Sequence, residues 1–407
     1  MPLSKLARAI GFLALAVLAA VPLAAAELTL EVDAGDSDRA ETPVCAQVVL
    51  PPELTAAANS GELVVEVDGP NGKAPGQVVL GKGKGDPNTL WWIVSLKKGE
   101  KAAYKATIAK GTPAKGFAFE DTKDDHLDLL FDGRKVTRFM YVFDPDPKKR
   151  FPTAKPFTHV FDAKGENLIT SPGGQPYPHH RGIFLGYKVT LPDGKTRYDF
   201  WHVPNCWERV DKFTEQDAGP VLGRMTALVN WDDPKDQPVL VEERTITVYR
   251  QGKPEVLLDF VAKLTSKVGD LDLGGDPEHA GCQYRPHFDV GKAENKKNTK
   301  YVFPPGMKPG GKGALDMPWA AVQYTLGGSC FEVAHLNHPD NPKGTIYSAY
   351  RDYGRFGAYA HTKLPAEEPL TLRYRIFVRE GTDPLTADEV QRLYDDFAKP
   401  PKVTVKP

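Results

Sequence analysis

The chain has 407 residues, with 52 Lys and Arg against 53 Asp and Glu and a formal net charge of −1. That balance supplies no field to draw it to nucleic acid or to an anionic membrane, so neither partner is expected. Aromatic residues at 10%, with 37 Gly and 36 Pro, suit strands joined by many turns.

The first 26 residues have the layout of a secretory signal. Lys5 and Arg8 precede an apolar run from Ala9 to Ala24, and Ala24-Ala25-Ala26 closes it, with cleavage expected before Glu27. No cysteine follows the cut, so a lipid anchor is not expected. No later run reaches the roughly 18–20 apolar residues needed to span a bilayer, so no membrane insertion is expected. The mature chain should therefore be exported, to the periplasm or beyond.

Residues 27–112 alternate apolar and polar at period two in "ELTLEVDAG", "VCAQVVLP", "GELVVEVDGP", "LWWIVSLKKG" and "YKATIAKG". Each run ends in Gly, Pro or Asp, which predicts a small β-sandwich. "KGTPAKGF" reads as a linker. From 113 to 399 the same pattern continues through "HLDLLFDGRKVTRFMYVFD", "GIFLGYKVTLPDGK" and the long hairpin "VEERTITVYRQGKPEVLLDFVAKL". One helix is clear, in "LTADEVQRLYDDFA", where Thr386 and Glu389 form a capping box and Leu385 can staple to Val390. The predicted fold is mainly β: a small sandwich, then a large antiparallel supersandwich closed by one C-terminal helix. Residues 400–407 read as a disordered tail. Cys45, Cys206, Cys282 and Cys330 are even in number and form no CxxC, so they are expected to be bridged in at least one pair or else buried.

Chemistry-bearing residues gather in four places. His179-His180-Arg181 leads into Asp199-Phe200-Trp201-His202. Glu278-His279 leads into Arg285-Pro286-His287-Phe288-Asp289. His335 and His338 flank a turn-rich run, and Arg351-Asp352-Tyr353 stands near the end. Adjacent histidines in a strand face opposite sides, so one of His179 and His180 should enter a cleft while the other supports it. Phe200 and Trp201 cannot both face one core, and the exposed ring would offer a platform for a sugar face. Arg285, His287 and Asp289 share one face if the segment is extended, and a charged triad is costly in a core strand. His338 more often shapes a turn than a site.

The motifs "YPHHRGIFLG", "NHPDNPKGT" and "YRDYGRFGAY" resemble a family of secreted proteins of unknown function that carries the label methane oxygenase PmoA, over roughly Phe117 to Arg379. The label does not suit a mature chain without spanning helices, and methane oxidation is rejected. Where members of that family carry an acidic Lys-Glu-Gly segment, this chain reads "GGDPEHAGCQY", which leaves Glu278 a weak candidate acid. A fainter resemblance is to aldose mutarotases, whose supersandwich carries "HG…G…W" and a later "H…YFNLGG" motif. By that resemblance His179 or His180 would face His287 across a sugar-sized cleft, where imidazoles suit proton transfer near neutral pH.

These readings converge on an exported carbohydrate-active protein, leaning to an enzyme, with a sugar or polyol as partner. The expected catalytic residues are His179, His180 and His287. Substrate contacts are expected from Arg181, Asp199, Trp201, Arg285, Asp289, His338, Arg351, Asp352 and Tyr353. A non-catalytic glycan-binding module is the alternative. So is a metal-dependent oxidoreductase, because His179, His180, His202, His287 and His338 with Asp199 or Asp289 offer ligands for zinc or a 2-His-1-carboxylate iron. No HExxH motif appears, and no metal or other cofactor is expected.

Overall fold

A computed structural model describes residues 25–83, 85–174, 176–307 and 315–406. Residues 1–24 of the expected signal lie outside the described residues, and Ala25 and Ala26 open the first strand. The fold is mainly β, as the alternation predicts.

A seven-stranded antiparallel sheet gathers Arg39–Val48, Asn88–Leu96, Gly72–Val79, Leu63–Gly69, Lys101–Lys110, Ala25–Asp33 and Lys402–Lys406, in that order. Every second residue turns inward: Leu30 and Val32, Leu90, Trp92 and Val94, Ala106 and Ile108 are all buried in one apolar cluster. Side chains alternate faces along a strand, so this period-two apolar pattern gives each strand a core-facing side. The expected disordered tail is corrected here. Lys402–Lys406 pairs antiparallel with Ala25–Asp33, from Thr29 opposite Lys406 to Asp33 opposite Lys402, because "KVTVK" alternates and the edge beside it is otherwise unpaired.

Two eight-stranded sheets and one four-stranded sheet build the rest. In the first, Ile183–Gly186 pairs with Gly281–Tyr284 and with Phe157–Val160. In the second, Trp207–Ala218, Leu222–Asp232, Pro238–Tyr249 and Val256–Ser266 run as successive hairpins, the last two forming the expected long one. Arg197–Asp199, Lys188–Thr190, Leu271–Gly274 and Thr362–Leu364 form the small sheet. Side chains from all three meet in one core, including Leu185, Tyr187, Val189, Phe200, Trp231, Phe260, Leu273 and Tyr284.

The helix Ala387–Ala398 starts as expected. Thr386 Oγ1 accepts from Glu389 N at 3.2 Å, and Glu389 Oε2 accepts from Thr386 N at 2.8 Å. Leu385, Val390 and Leu393 pack in one cluster with Trp319 and Leu336. Shorter helices at Pro52–Asn59 and Ala293–Lys296 had no clear sequence signal. All four cysteines are free, which corrects the expectation of a bridge. Burial does not unite them either, for Cys206 and Cys282 are buried, Cys330 is half-buried and Cys45 is exposed.

Candidate functional site

The site is built on three turns that hang from these strands. In the first, His180 N donates to Tyr177 O at 2.9 Å, closing the turn Tyr177-Pro178-His179-His180. Pro178 presets the backbone there. A turn, not a strand, carries the paired histidines, so the expected opposite-face arrangement does not arise. Their rings stand perpendicular with centroids 4.7 Å apart. Gly182 then leads into Ile183–Gly186 with φ +28°, and a Cβ on it would lie 2.2 Å from Thr158 O. Only glycine fits so close to the neighbouring strand.

The second turn is Asp199-Phe200-Trp201-His202. Asp199 Oδ1 accepts from Trp201 N at 3.0 Å and His202 N at 2.9 Å, while Oδ2 lies 2.8 Å from His202 Nδ1. Burial raises the Asp199 pKa, but the bonds from the His202 ring and backbone outweigh it and hold the carboxyl down to about 2. Asp199 is therefore an acceptor, and His202 Nδ1 must be the donor. Val203 follows at φ 49°, a strained conformation for a β-branched residue. Its N–H donates to Asp199 O at 2.9 Å, which helps hold it.

The third turn repeats the second. Asp276 Oδ1 accepts from Glu278 N at 3.0 Å and lies 2.9 Å from His279 Nδ1. Its carbonyl accepts from His279 N at 3.0 Å. "DFWH" and "DPEH" thus share one spacing, an aspartate three residues before a histidine whose ring it orients.

The three turns meet. His179, His202 and His279 each present one ring nitrogen, all within 4.8 Å of one another. The ring of His202 lies 4.8 Å from that of His179 and 5.2 Å from that of His279, centroid to centroid. Burial, with the nearby His202, Arg285 and His279, pushes the His179 pKa down to about 3, so its ring is neutral near pH 7.

Beside this cluster opens a cleft of ≈ 550 Å³. Tyr177, His180, Phe288, Arg351, Tyr353 and Arg355 supply its aromatic and charged lining, with Asp289 and Asp352 at its wall. The Tyr177 ring lies 4.7 Å from His180 and 5.4 Å from Tyr353. Burial, then Arg285 and His179, drive the His180 pKa well below the usual imidazole range. Glu278 lies between two guanidiniums, with its Oε2 2.9 Å from Arg351 Nη2 and 2.7 Å from Arg355 Nη2. Burial raises the Glu278 pKa, but Arg351 and Arg355 more than offset it and keep the carboxylate ionised.

Of the expected site residues, His180, Asp289, Arg351, Asp352 and Tyr353 line the cleft, and His179 and Asp199 belong to the cluster beside it. The others are elsewhere. Trp201 is fully buried with Phe157 and Phe184 and is no sugar platform, because Lys155 and Arg285 lie over its ring. Phe200 packs in the main core instead, so the two rings do divide between cores. Arg181 is buried and donates to Phe151 O.

Arg285, His287 and Asp289 do not form a one-faced triad. The strand ends at Tyr284, and Phe288–Gly291 is a short 3-10 helix capped by His287, whose Nδ1 accepts from Asp289 N at 3.3 Å. Arg285 is fully buried; Gln283 Oε1 accepts from it at 2.9 Å and Glu278 O at 3.2 Å. His287 packs on Phe288 and does not line the cleft. His338 packs on Phe397 of the C-terminal helix, away from the cleft. The structure adds to the candidate site His202, which the sequence offered only as an alternative metal ligand, and His279, Asp276, Tyr177 and Arg355. The repeated aspartate-to-histidine spacing was the signal that could have found the first three.

Among the described residues no helix is long and apolar enough to cross a membrane. No functionally curated protein matches the chain in sequence. Among solved structures, a GalM/aldose epimerase homologue from C. elegans is similar at 10% identity and a TM-score of 0.27, over 66% of this chain and 100% of that one. Residues 126–395, which carry the three turns and the cleft, match the family of unknown function DUF6807, and the chain belongs to that family.

Proposed function

We propose that the chain is an exported carbohydrate-active enzyme whose substrate, a sugar or polyol derivative, occupies the ≈ 550 Å³ cleft. One observation carries the reading: the rings of Tyr177 and Tyr353, the guanidiniums of Arg351 and Arg355 and the neutral imidazole of His180 line a single concave site. Sugars offer apolar C–H faces to aromatic rings and hydroxyl or carboxylate oxygens to guanidiniums. A cleft of this size suits a small ligand. His180, held neutral, is the proton acceptor for a substrate hydroxyl. Arg351, 46% exposed, is placed to hold the ligand at the mouth.

A panel of mono- and oligosaccharides, uronic acids and polyols, screened by thermal shift and then for product, tests this. Arg351→Ala should weaken binding of the active ligand about 10- to 100-fold, the worth of a charged hydrogen bond. His180→Ala should abolish product with a smaller loss of affinity. A ligand bound without product from any sugar would leave a glycan-binding module. No binding across the panel, or binding indifferent to Arg351→Ala, would overturn the reading. Export rests on Lys5, Arg8 and the apolar run that follows. It predicts that the exported chain begins at Glu27, which N-terminal sequencing checks.

A further inference from the structure

The cluster at His179, His202 and His279 does something the sugar reading does not require. We infer that these three imidazoles form a binding site for one divalent first-row transition ion of the zinc class, held by three nitrogens with at least one coordination position open toward the cleft.

The orientation of the rings carries the inference. His202 Nδ1 is 2.8 Å from Asp199, and His279 Nδ1 is 2.9 Å from Asp276. A carboxylate on Nδ1 fixes the proton there and leaves the Nε2 lone pair directed away from the aspartate. Metal-binding histidines have this arrangement behind them, and it both orients the ring and raises its basicity. Here it occurs twice, on two turns of the same aspartate-to-histidine spacing from distant parts of the chain. One ring nitrogen from each of His179, His202 and His279 lies within 4.8 Å of the others, and with Nδ1 of His202 and His279 held by the aspartates, Nε2 is the nitrogen each can offer an ion. Val203, the residue after His202, is held at φ 49°, a costly conformation for a β-branched residue.

The donor set selects the class of ion. Neutral imidazoles suit zinc, copper, nickel and iron(II), whereas calcium and magnesium prefer an all-oxygen shell. Two aspartates behind the rings offset the charge of a divalent ion. Three protein ligands are the number found in catalytic rather than structural zinc sites, leaving a position for water or a ligand oxygen. With a metal–nitrogen distance of about 2.0–2.1 Å, ligand atoms in such a site lie ~3.3 Å apart. The rings must therefore draw together slightly, and they have room, for the side chains of His202 and His279 are each 37% exposed. His179 links the ion to the cleft because its neighbours Tyr177 and His180 line it. The inference stands apart from the identity of the ligand, and the ion can bind whether or not a sugar does.

The experiment uses the whole mature chain, untagged and freed of metal by a chelator that is then dialysed away. Zinc chloride is titrated calorimetrically, and cobalt chloride is followed by its visible absorption. One equivalent of zinc should bind, and cobalt should give the intense visible bands of a low-coordinate nitrogen site. His202→Ala and His279→Ala should each abolish both signals. Asp199→Asn and Asp276→Asn should lower affinity about 10- to 100-fold, the usual cost of losing such a support. His126→Ala, on the strand His126–Phe131 and outside the three turns, is the control and should bind as the parent does. Circular dichroism verifies that each variant is folded, and the exposure of His202 and His279 favours this. Should a histidine variant misfold, the two asparagine variants still decide the matter. Absence of stoichiometric binding, or binding equally tight in folded His202→Ala, His279→Ala and both asparagine variants, would overturn the inference.

Discussion

Lys155 shows how much of the site depends on a residue that touches nothing bound there. Its side chain is enclosed, and its ammonium donates to Phe200 O and to Trp201 O, the latter at 3.2 Å. Glu208 Oε1 lies 3.5 Å away. Burial lowers its pKa to about 8, against the opposing pull of Glu208. The amine thus fixes the two carbonyls immediately before His202. Glu208 in turn meets Arg244, itself paired with Glu242 at 2.7 Å, and all three side chains are fully buried. Removing one partner from such a network leaves buried charge uncompensated. Lys155→Met should therefore lose about 3–5 kcal/mol of stability, read from the urea midpoint at constant slope.

The same residue shows what sequence could and could not disclose. A lysine in "PTAKPFTHVF" looks like an ordinary surface residue, and only the fold encloses it. Arg285 failed in the opposite direction. A charge in a strand is costly to bury without partners, and on that ground it points to a function. Its partners are Gln283, the Glu278 carbonyl and the face of Trp201, none of which a periodicity reveals.

At the scale of elements, the strands His126–Phe131 and Arg134–Met140 offer a measurable pair. Asp128, buried, faces Arg138 across them and accepts two bonds from it, at 2.6 and 2.8 Å. Burial raises the Asp128 pKa, but Arg138 more than reverses this and the carboxyl ends below its ordinary 3.8. A depressed carboxyl contributes stability that is present above the unfolded pKa and is lost as pH falls through the lower folded value. Asp128→Asn should accordingly be less stable than the parent at pH 7. The gap should narrow below about pH 4, where the unfolded aspartate takes up its proton. Urea unfolding at pH 7, 4 and 3 checks this. A gap unchanged across that range would mean that the pair acts through packing.

Elements were the most legible part of the sequence. Period-two alternation located the strands of the first sheet up to Lys110, though not Lys402–Lys406, and the capping box at Thr386 and Glu389 located the helix. The turns were not legible in the same way. The opposite-face argument for His179 and His180 assumes a strand, although Pro178 favours a bend, and the one-faced triad after Tyr284 assumes an extended segment that Pro286 and His287 end. Convergence of His179, His202 and His279 is a property of loops brought together by sheets, and no local pattern spans the hundred residues between them.

On the scale of the whole molecule, the N-terminal sheet and the remainder are joined by buried polar contacts. Arg39 Nη1 meets Asp396 at 2.9 Å, and Gln77 Oε1 accepts from Val221 N at 3.0 Å and Leu222 N at 2.9 Å. Arg39 also donates to Lys399 O at 2.9 Å, three residues before the last strand begins. Removal of residues 400–407 should thus expose the paired edge of Ala25–Asp33 and lower the melting temperature, with increased aggregation on heating. Calorimetry and light scattering read both. An unchanged melt would show that the strand contributes no stability.

That last strand also sets a timetable. Ala25–Asp33 and Lys101–Lys110 emerge early from the ribosome, but Lys402–Lys406 emerges about 290 residues after them. At about 5–20 residues per second, ~15–60 s pass in which the first sheet has every strand except its outermost. Throughout that interval the nascent chain presents an unpaired β-edge, the surface most open to a chaperone or to a wrong strand. The sheet that opens with Ala25–Asp33 is thus among the last parts of the fold to be finished.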